Sequence, residues 1–277
     1  MIFAWKSSDN VNMTLKNLVD EFLSYISAVK GLSENTVNGY GRDLDQLMVF
    51  LTPDLDITTI TKESLLLCIG QLSKQKKSAA SINRFIAAVR SLFSYGAKFQ
   101  YLEKNPALEM KTVKQPKQLP HFMTSAEVNE LCSEPMKNEL LWSTRDRAIF
   151  TMLYSSGCRI SELQGLKISD FMDNYHAAIV TGKGNKQRKV YFEKESREAL
   201  AAYLKDRAKV LNDNGIERDK ATKHLFINQK GTALTVGGLR YILNRYSGVE
   251  GTNHHVNPHA FRHTFATHML GNILLPY

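Results

Sequence analysis

The sequence predicts a mainly α protein, with an N-terminal four-helix bundle followed by an α+β domain that contains a small antiparallel sheet. Apolar residues recur at helical spacing between residues 15 and 93. The second part has capped helical segments and two β-type runs joined by a glycine-rich turn. A length of 277 residues suits about two domains, which we place at 1–110 and 123–277 with a linker at 111–122.

Four amphipathic segments make up the predicted bundle. The first has apolar residues at Leu15, Leu18, Val19, Phe22, Leu23 and Ile26. The second follows Gly31, begins at the capping residue Ser33, and has apolar residues at Val37, Leu44, Leu47, Met48 and Leu51. A shorter third helix runs from Thr61 to Leu72. The fourth has apolar residues at Ile82, Phe85, Ile86, Val89, Leu92 and Phe93.

The predicted linker has two prolines, three lysines and no apolar period between Lys111 and Pro120. This composition is typical of an extended connection between domains. Its cations could lie along a phosphate backbone, and a simply solvated linker is the alternative.

In the second domain, Thr124 and Glu127 form a capping box that begins a helix. A helix from Arg145 to Ser156 ends at Gly157. A hairpin has its strands at 177–181 and 187–192, and helices follow at 194–211 and 236–246 with a short strand at 225–228. Asn257 and Pro258 then supply an N-cap and a first-turn proline for a last helix.

The bulk composition indicates a basic protein with an ordinary packed core. The formal net charge is +9 and the pI about 9.3, which favours an anionic partner such as nucleic acid, or simply a basic soluble protein. Three cysteines without metal spacing indicate buried free thiols in a reducing compartment. The N-terminus turns polar too early for a signal peptide, and no apolar run is long enough to cross a bilayer. We therefore expect a soluble, cytoplasmic protein.

The first candidate site segment follows Gly157, which allows a tight turn. Arg159 then stands at the start of a new helix, and Glu162 lies one turn further on. At that spacing the carboxylate can hold the guanidinium in place. An ordinary surface Arg–Glu pair is the alternative.

The second segment places Lys183 between two glycines at the tip of the hairpin. A lysine there can reach into a DNA groove and meet phosphates or base edges, as can Lys186 and Arg188. The segment lacks the spacing and the following helix of a Walker phosphate loop. A solvated basic turn is the alternative.

The third segment places His259 and Arg262 on one face of the last helix, because Phe261 and Phe265 supply its apolar stripe. An acid/base group beside a fixed cation suits a phosphate oxygen. Zinc is a weaker interpretation: His259 and His263 have i, i+4 spacing, but no Glu stands at the H-E-x-x-H position. We expect no metal site.

The order Arg, Lys, His-x-x-Arg resembles the tyrosine recombinase (phage integrase-like) family, and is closest to its bacterial Xer-type members. The resemblance covers nearly all of the chain, including residues 32–40, 81–85 and Asn105-Pro106-Ala107 before the linker. It implies an N-terminal core-binding (SAM-like) domain followed by a catalytic domain.

By this resemblance, Arg159 and Arg262 would bind the non-bridging oxygens of a scissile phosphate, with Glu162 in support. Lys183 would protonate the departing 5′ oxygen, and His259 would act as an acid/base or hydrogen-bonding group. The partner would be double-stranded DNA, in a tetrameric synapse, with no cofactor and no small-molecule substrate. Polar or cationic positions of the first domain are candidates for DNA contacts: Thr36, Tyr40, Arg42, Lys76, Lys77, Arg84 and Arg90.

The sequence departs from the family after the last helix, where a further helix and the attacking tyrosine are expected. Tyr277 follows Arg262 too closely and stands after a proline, so we do not predict it as the nucleophile. We expect residues 1–277 to be inactive alone and to assemble weakly into tetramers. A changed reading frame is the preferred explanation; a shortened chain or a segment supplied from elsewhere would also fit.

Three functions other than recombination are alternatives for this sequence. A catalytically inert protein that occupies recombination sites shares every motif and differs only in lacking a nucleophile. A metal-dependent nuclease that uses the histidines would lose activity to a chelator. A transcription factor without enzymatic ancestry would leave Arg159, Lys183 and Arg262 unexplained.

Overall fold

The computed structural model describes residues 13–115, 123–137, 142–217, 219–246 and 258–274. The chain divides into two compact units, Met1–Lys117 and Gln118–Tyr277. Both units are mostly helical, and the second contains a three-stranded antiparallel sheet, which confirms the predicted fold class. The finer division at 1–110, 111–122 and 123–277 stays a prediction. None of the helices in these described ranges is long and apolar enough to cross a membrane.

The first unit contains the four predicted helices, α1 (Leu15–Ala28), α2 (Glu34–Leu51), α3 (Lys62–Lys74) and α4 (Ala79–Lys98). Their apolar stripes bury one shared core, in which Leu18, Leu44, Ile86 and Phe93 are fully enclosed. The structure therefore confirms the helical periodicity read from the sequence.

Local capping sets where these helices begin. Thr61 and Ser64 form a reciprocal capping box at the start of α3. Ser33 is the residue before α2, as predicted, but its hydroxyl bonds to that of Thr36 at 2.9 Å instead of to a backbone N–H. Asn83 of α4 holds the chain beyond the bundle, because its side-chain amide pairs with the backbone N–H and C=O of Val113 at 2.7 and 2.9 Å.

The second unit begins with the predicted capping box of Thr124 and Glu127. Its helices are α5 (Ser125–Lys137), α6 (Ser143–Ser156), α7 (Ile160–Gly165), α8 (Lys194–Asp213), α9 (Val236–Arg245) and α10 (Pro258–Leu274). Its strands are β1 (Phe171–Met172), β2 (Ala177–Thr181) and β3 (Gln187–Tyr191), antiparallel in the order β1-β2-β3. The predicted hairpin is present, and β1 was missed because two residues show no period. Asn257 lies outside the described residues.

The predicted strand at 225–228 is wrong. That segment forms a single isolated bridge, between Ile227 and Ala233. The reason is that α8 side chains occupy its backbone groups: the carbonyl of Leu225 accepts from the Tyr203 hydroxyl and from Arg207 Nε. The N–H of Ile227 donates to the same Tyr203 hydroxyl at 3.0 Å. A β-type run of apolar residues is thus buried without forming a ladder.

All three cysteines are free and buried, as predicted. Burial raises the pKa of the Cys132 thiol to about 12, and those of Cys68 and Cys158 to about 11. Because the thiolate is the reactive form, we expect no modification of the folded protein by a thiol reagent at pH 8. In denaturant all three thiols should react. Rapid labelling of any cysteine in the native protein would contradict this burial.

Candidate functional site

The site is built on the turn that follows α6. Gly157 ends that helix in the left-handed region, with φ +56° and ψ 22°, and its N–H donates to Leu153 O at 3.1 Å. A side chain at this position would collide with Phe265 of α10, because an added Cβ would lie 2.2 Å from Phe265 Cδ1. The glycine is thus required both for the turn and for the close approach of α10.

Arg159 stands two residues later as the N-cap of α7, and its pairing with Glu162 is present. Glu162 Oε2 accepts from the Arg159 backbone N–H at 2.7 Å, and Oε1 accepts from Arg159 Nη1 at 2.9 Å. The Glu162 side chain is only 1% exposed, whereas half of the Arg159 side chain is exposed. The buried carboxylate therefore orients a guanidinium that remains open to solvent.

Electrostatics keep Glu162 charged despite its burial. Burial raises the pKa of this carboxyl, but the hydrogen bonds from the backbone and side chain of Arg159 and the charges of Arg188 and Arg159 outweigh it. The net result is a pKa below the ordinary value for glutamate. The carboxylate consequently remains an acceptor at neutral pH.

Arg188 has a partner that the sequence analysis did not identify. The sequence predicts a contact with DNA for this residue, but its Nη2 donates to Glu162 Oε2 at 2.6 Å. Arg188 lies on β3, opposite Val180 of β2. The i, i+3 spacing revealed the Arg159–Glu162 pair, whereas this partner is 26 residues away and no local pattern indicates it.

Arg262 is placed on the same turn by the packing of α10. Phe261 is fully buried and stacks on Phe150 of α6, with ring centroids 5.9 Å apart. The buried Thr264 hydroxyl accepts from the N–H of Met123 at 3.0 Å. Arg262 Nη1 then donates to the Gly157 carbonyl at 2.7 Å. The turn at 157–159 therefore holds both predicted arginines.

The structure describes the backbone at Lys183 and at His259, but the side chains of both residues lie outside its described part. Lys183 begins a single helical turn, Lys183–Asn185, at the tip of the hairpin, where Gly184 has φ +74°. The N–H of Gly182 donates to Lys186 O at 2.8 Å and closes the tip. His259 lies in the first turn of α10. Tyr277 falls outside the described residues.

The candidate DNA contacts of the first unit have varied surroundings. Tyr40 stacks on Phe22 at 6.1 Å between centroids. Arg84 makes two hydrogen bonds, of 2.8 and 3.0 Å, to the nearly buried carboxylate of Asp43. Thr36 is half-buried, and the exposed candidates are Arg42, Lys76, Lys77, Arg84, Arg90 and, in the second unit, Lys186. Tyr40 and Arg84 thus stabilise the bundle itself, whatever else they contact.

Among the described residues, no group of three or more His, Cys, Asp and Glu side chains is arranged to hold a metal ion. The charged groups around the turn at 157–159 are instead guanidiniums tied to a carboxylate and a carbonyl. This arrangement offers hydrogen-bond donors and positive charge to an anion.

Comparison with known proteins agrees with this geometry. Residues 121–273 match the model of the phage integrase family, and residues 19–98 match the phage integrase N-terminal SAM-like domain. The chain belongs to the tyrosine recombinase family. The family resemblance predicted from the Arg, Lys and His-x-x-Arg segments is thereby confirmed.

Named relatives of this family cover most of the chain. A tyrosine recombinase XerC of Treponema denticola is 36% identical over 92% of this chain and 86% of its own length. A tyrosine recombinase XerD of Staphylococcus haemolyticus is 33% identical over 93% of this chain and 86% of its own length. Both names place the chain among Xer-type site-specific recombinases.

Solved structures show the same fold. The XerH site-specific recombinase bound to a palindromic difH substrate has a TM-score of 0.73 with 20% identity, over 95% of this chain and 88% of its own. The Tn1549 transposon integrase in complex with transposon right end DNA has a TM-score of 0.73, also with 20% identity, over 95% and 88%. Both structures therefore share the fold of this chain.

Proposed function

We propose that this protein binds double-stranded DNA and takes part in site-specific recombination through a 3′-phosphotyrosine intermediate. The observation that carries the proposal is the turn at 157–159, which contains Arg159 and accepts a hydrogen bond from Arg262. Two guanidiniums tied to one rigid turn suit the two non-bridging oxygens of a phosphodiester. The DNA complexes of XerH and the Tn1549 integrase support DNA as the partner.

Each proposed role follows from the charge that develops during strand cleavage. A tyrosine oxygen, whose proton passes to solvent, attacks phosphorus; the phosphate passes through a five-coordinate state, and the bond from phosphorus to the 5′ oxygen breaks. Arg159 and Arg262 would stabilise the negative charge of that state. Lys183 would give a proton to the departing 5′ oxygen, and His259 would exchange a proton or hydrogen bond at the phosphate.

Rejoining reverses these steps without an external energy source. A 5′ hydroxyl of another strand attacks the phosphotyrosine, its proton returns to Lys183, and the tyrosine oxygen leaves and takes up a proton from solvent. The covalent protein–DNA bond conserves the energy of the phosphodiester, so the steps need no nucleotide. Glu162 would act through Arg159 by fixing the direction of its guanidinium.

The first unit supplies further candidate contacts to DNA. Its exposed cationic candidates Arg42, Lys76, Lys77, Arg84 and Arg90, together with Lys186 of the hairpin, would meet phosphates or groove edges. The net charge of +9 is in keeping with such a partner. We expect binding to weaken steeply as the salt concentration rises.

Covalent trapping on a nicked suicide duplex tests the chemistry of residues 1–277. The duplex would carry a half-site that this chain has selected from a randomised library. We expect a retarded complex on a native gel. A retarded complex that gives no covalent band on a denaturing gel would favour the second candidate, a protein that occupies recombination sites without cutting them.

A covalent band would show instead that a tyrosine of these residues attacks, and Tyr277→Phe would test whether Tyr277 is that residue. Binding to paired half-sites in the same native gel tests the expected weak assembly of protomers. Strongly cooperative binding would contradict that expectation.

A further inference from the structure

One carboxylate serves two guanidiniums in the second unit. Glu162 is essentially buried, and both of its oxygens are occupied: Oε1 by Arg159 Nη1, and Oε2 by the Arg159 N–H and by Arg188 Nη2. Two positive charges thus share one negative charge, and the trio has a net charge of +1.

The same contact joins the lysine hairpin to the arginine turn. Arg188 belongs to β3, and Gly182 at the end of the facing strand packs against the pair. A Cβ added at Gly182 would lie 2.9 Å from Glu162 Oε1 and 3.8 Å from Arg159 Nη1. The backbone that carries Lys183 therefore lies directly beside the Glu162 carboxylate. Arg188 fastens this hairpin to the carboxylate by a hydrogen bond of 2.6 Å.

We propose that Arg188 is a positioning residue for the phosphate site, acting through Glu162 on Arg159 and on the hairpin that carries Lys183. The inference rests on the proposed function, because it assumes that Arg159 binds a DNA phosphate. It changes the role of Arg188 from a contact with DNA to a link within the protein.

The balance of charge around Glu162 explains why both Arg159 and Arg188 are needed to attract a phosphate. If Glu162 were paired with Arg159 alone, the ion pair would be neutral and would attract a phosphate weakly. With Arg188 sharing the carboxylate, the charge of Arg159 is only partly neutralised and can still attract the phosphate, while the hydrogen bond from its Nη1 to Glu162 Oε1 fixes its direction. Removing Arg188 would draw Arg159 more fully onto Glu162 and release the hairpin.

The test maps phosphates with methylphosphonate, which replaces one charged non-bridging oxygen by a methyl group. The probe is the selected half-site duplex, carrying one methylphosphonate at a time along both strands. Comparison of the wild-type chain with Arg159→Gln identifies the phosphate whose neutralisation weakens only the wild type. If no phosphate depends on Arg159, the proposed phosphate site is wrong and the role of Arg188 falls with it.

Given such a phosphate, Arg188→Gln should weaken binding to the unmodified duplex by about tenfold. On the duplex neutralised at the Arg159-dependent phosphate, the same substitution should weaken binding by less than about twofold. A general loss of structure would not confine its effect to one phosphate. Arg188→Lys, which keeps the charge but loses the planar fork, should recover part of the affinity.

The matched control is Lys189→Gln, which removes one positive charge from the next residue of β3. Lys189 faces Asp173 at 3.7 Å and makes no contact with Glu162 among the recorded ion pairs of the described residues. It should leave the sensitivity to the Arg159-dependent phosphate unchanged. If circular dichroism shows that Arg188→Gln does not fold, the same methylphosphonate scan is carried out with Arg188→Lys. This variant should show a smaller loss of affinity that depends on the same phosphate.

Two results would overturn the proposal. One is a tenfold loss of affinity in Arg188→Gln that persists on the duplex neutralised at the Arg159-dependent phosphate but disappears when a different phosphate is neutralised. This would make Arg188 a direct DNA contact. The other is unchanged affinity of Arg188→Gln for the unmodified duplex. In both cases binding would still depend on one phosphate through Arg159, so the proposed function would stand.

Discussion

Asp146→Asn is expected to lower the free energy of unfolding by about 3–5 kcal/mol, because it removes the only carboxylate recorded for two guanidiniums in the described part of the second unit. Asp146 is completely buried in α6. Its Oδ1 accepts from Arg145 Nε at 3.0 Å, and its Oδ2 accepts from Arg245 Nη2 at 2.5 Å. The Tyr246 hydroxyl also donates to Oδ2 at 3.1 Å.

The asparagine keeps the shape of the side chain but not its charge. Arg145, itself 7% exposed, would then remain buried as an uncompensated cation. Since Arg245 and Tyr246 lie at the end of α9, the loss would also loosen the packing of that helix on α6. Urea denaturation followed by circular dichroism measures the effect, with an unchanged m value showing that only stability has changed.

Glu217→Gln provides the control for Asp146→Asn. It makes the same change of charge in a surface pair with Lys220, in which both side chains are about two-thirds exposed. Such pairs contribute less than about 1 kcal/mol, so the midpoint should hardly move. Equal shifts in the two variants would show that net charge, and not the buried network, determines the response.

Gly157→Ala is expected to cost about 2–5 kcal/mol, the sum of a left-handed backbone and an overpacked contact. The added Cβ would lie 2.2 Å from Phe265 Cδ1, so α10 would have to shift. Arg262 would move with that helix and lose its hydrogen bond to the Gly157 carbonyl. The denaturation midpoint measures the first effect, and affinity for the selected half-site measures the second.

Gly215→Ala separates the two contributions to that cost. Gly215 also has a left-handed backbone, with φ +64°, but nothing lies within 4 Å of an added Cβ. We expect it to cost about 1–2 kcal/mol. Phe265→Ala should partly relieve Gly157→Ala when the two are combined. If the double variant is no more stable than the two single changes predict when added together, the contact with Phe265 is not the cause of the destabilisation by Gly157→Ala.

Local patterns in the sequence accounted for most of the fold and part of the site. The helices, their capping residues and the hairpin depend on interactions within a few residues, as do Gly157 and the Arg159–Glu162 pair. Motif order was enough to indicate the family, because Arg159, Lys183, His259 and Arg262 occur in the order typical of recombinases. The roles of these four residues stay predictions.

Only the tertiary structure decided which partners meet across the chain. The strand predicted at 225–228 is absent because Tyr203 and Arg207 of α8 bind its backbone. Arg188 bonds to Glu162, Arg262 to the Gly157 carbonyl, and Asp146 to Arg245, over separations of 26, 105 and 99 residues. A helix or turn depends on neighbours in sequence, whereas a buried charge binds whichever group the packing brings to it, and no local pattern records that choice.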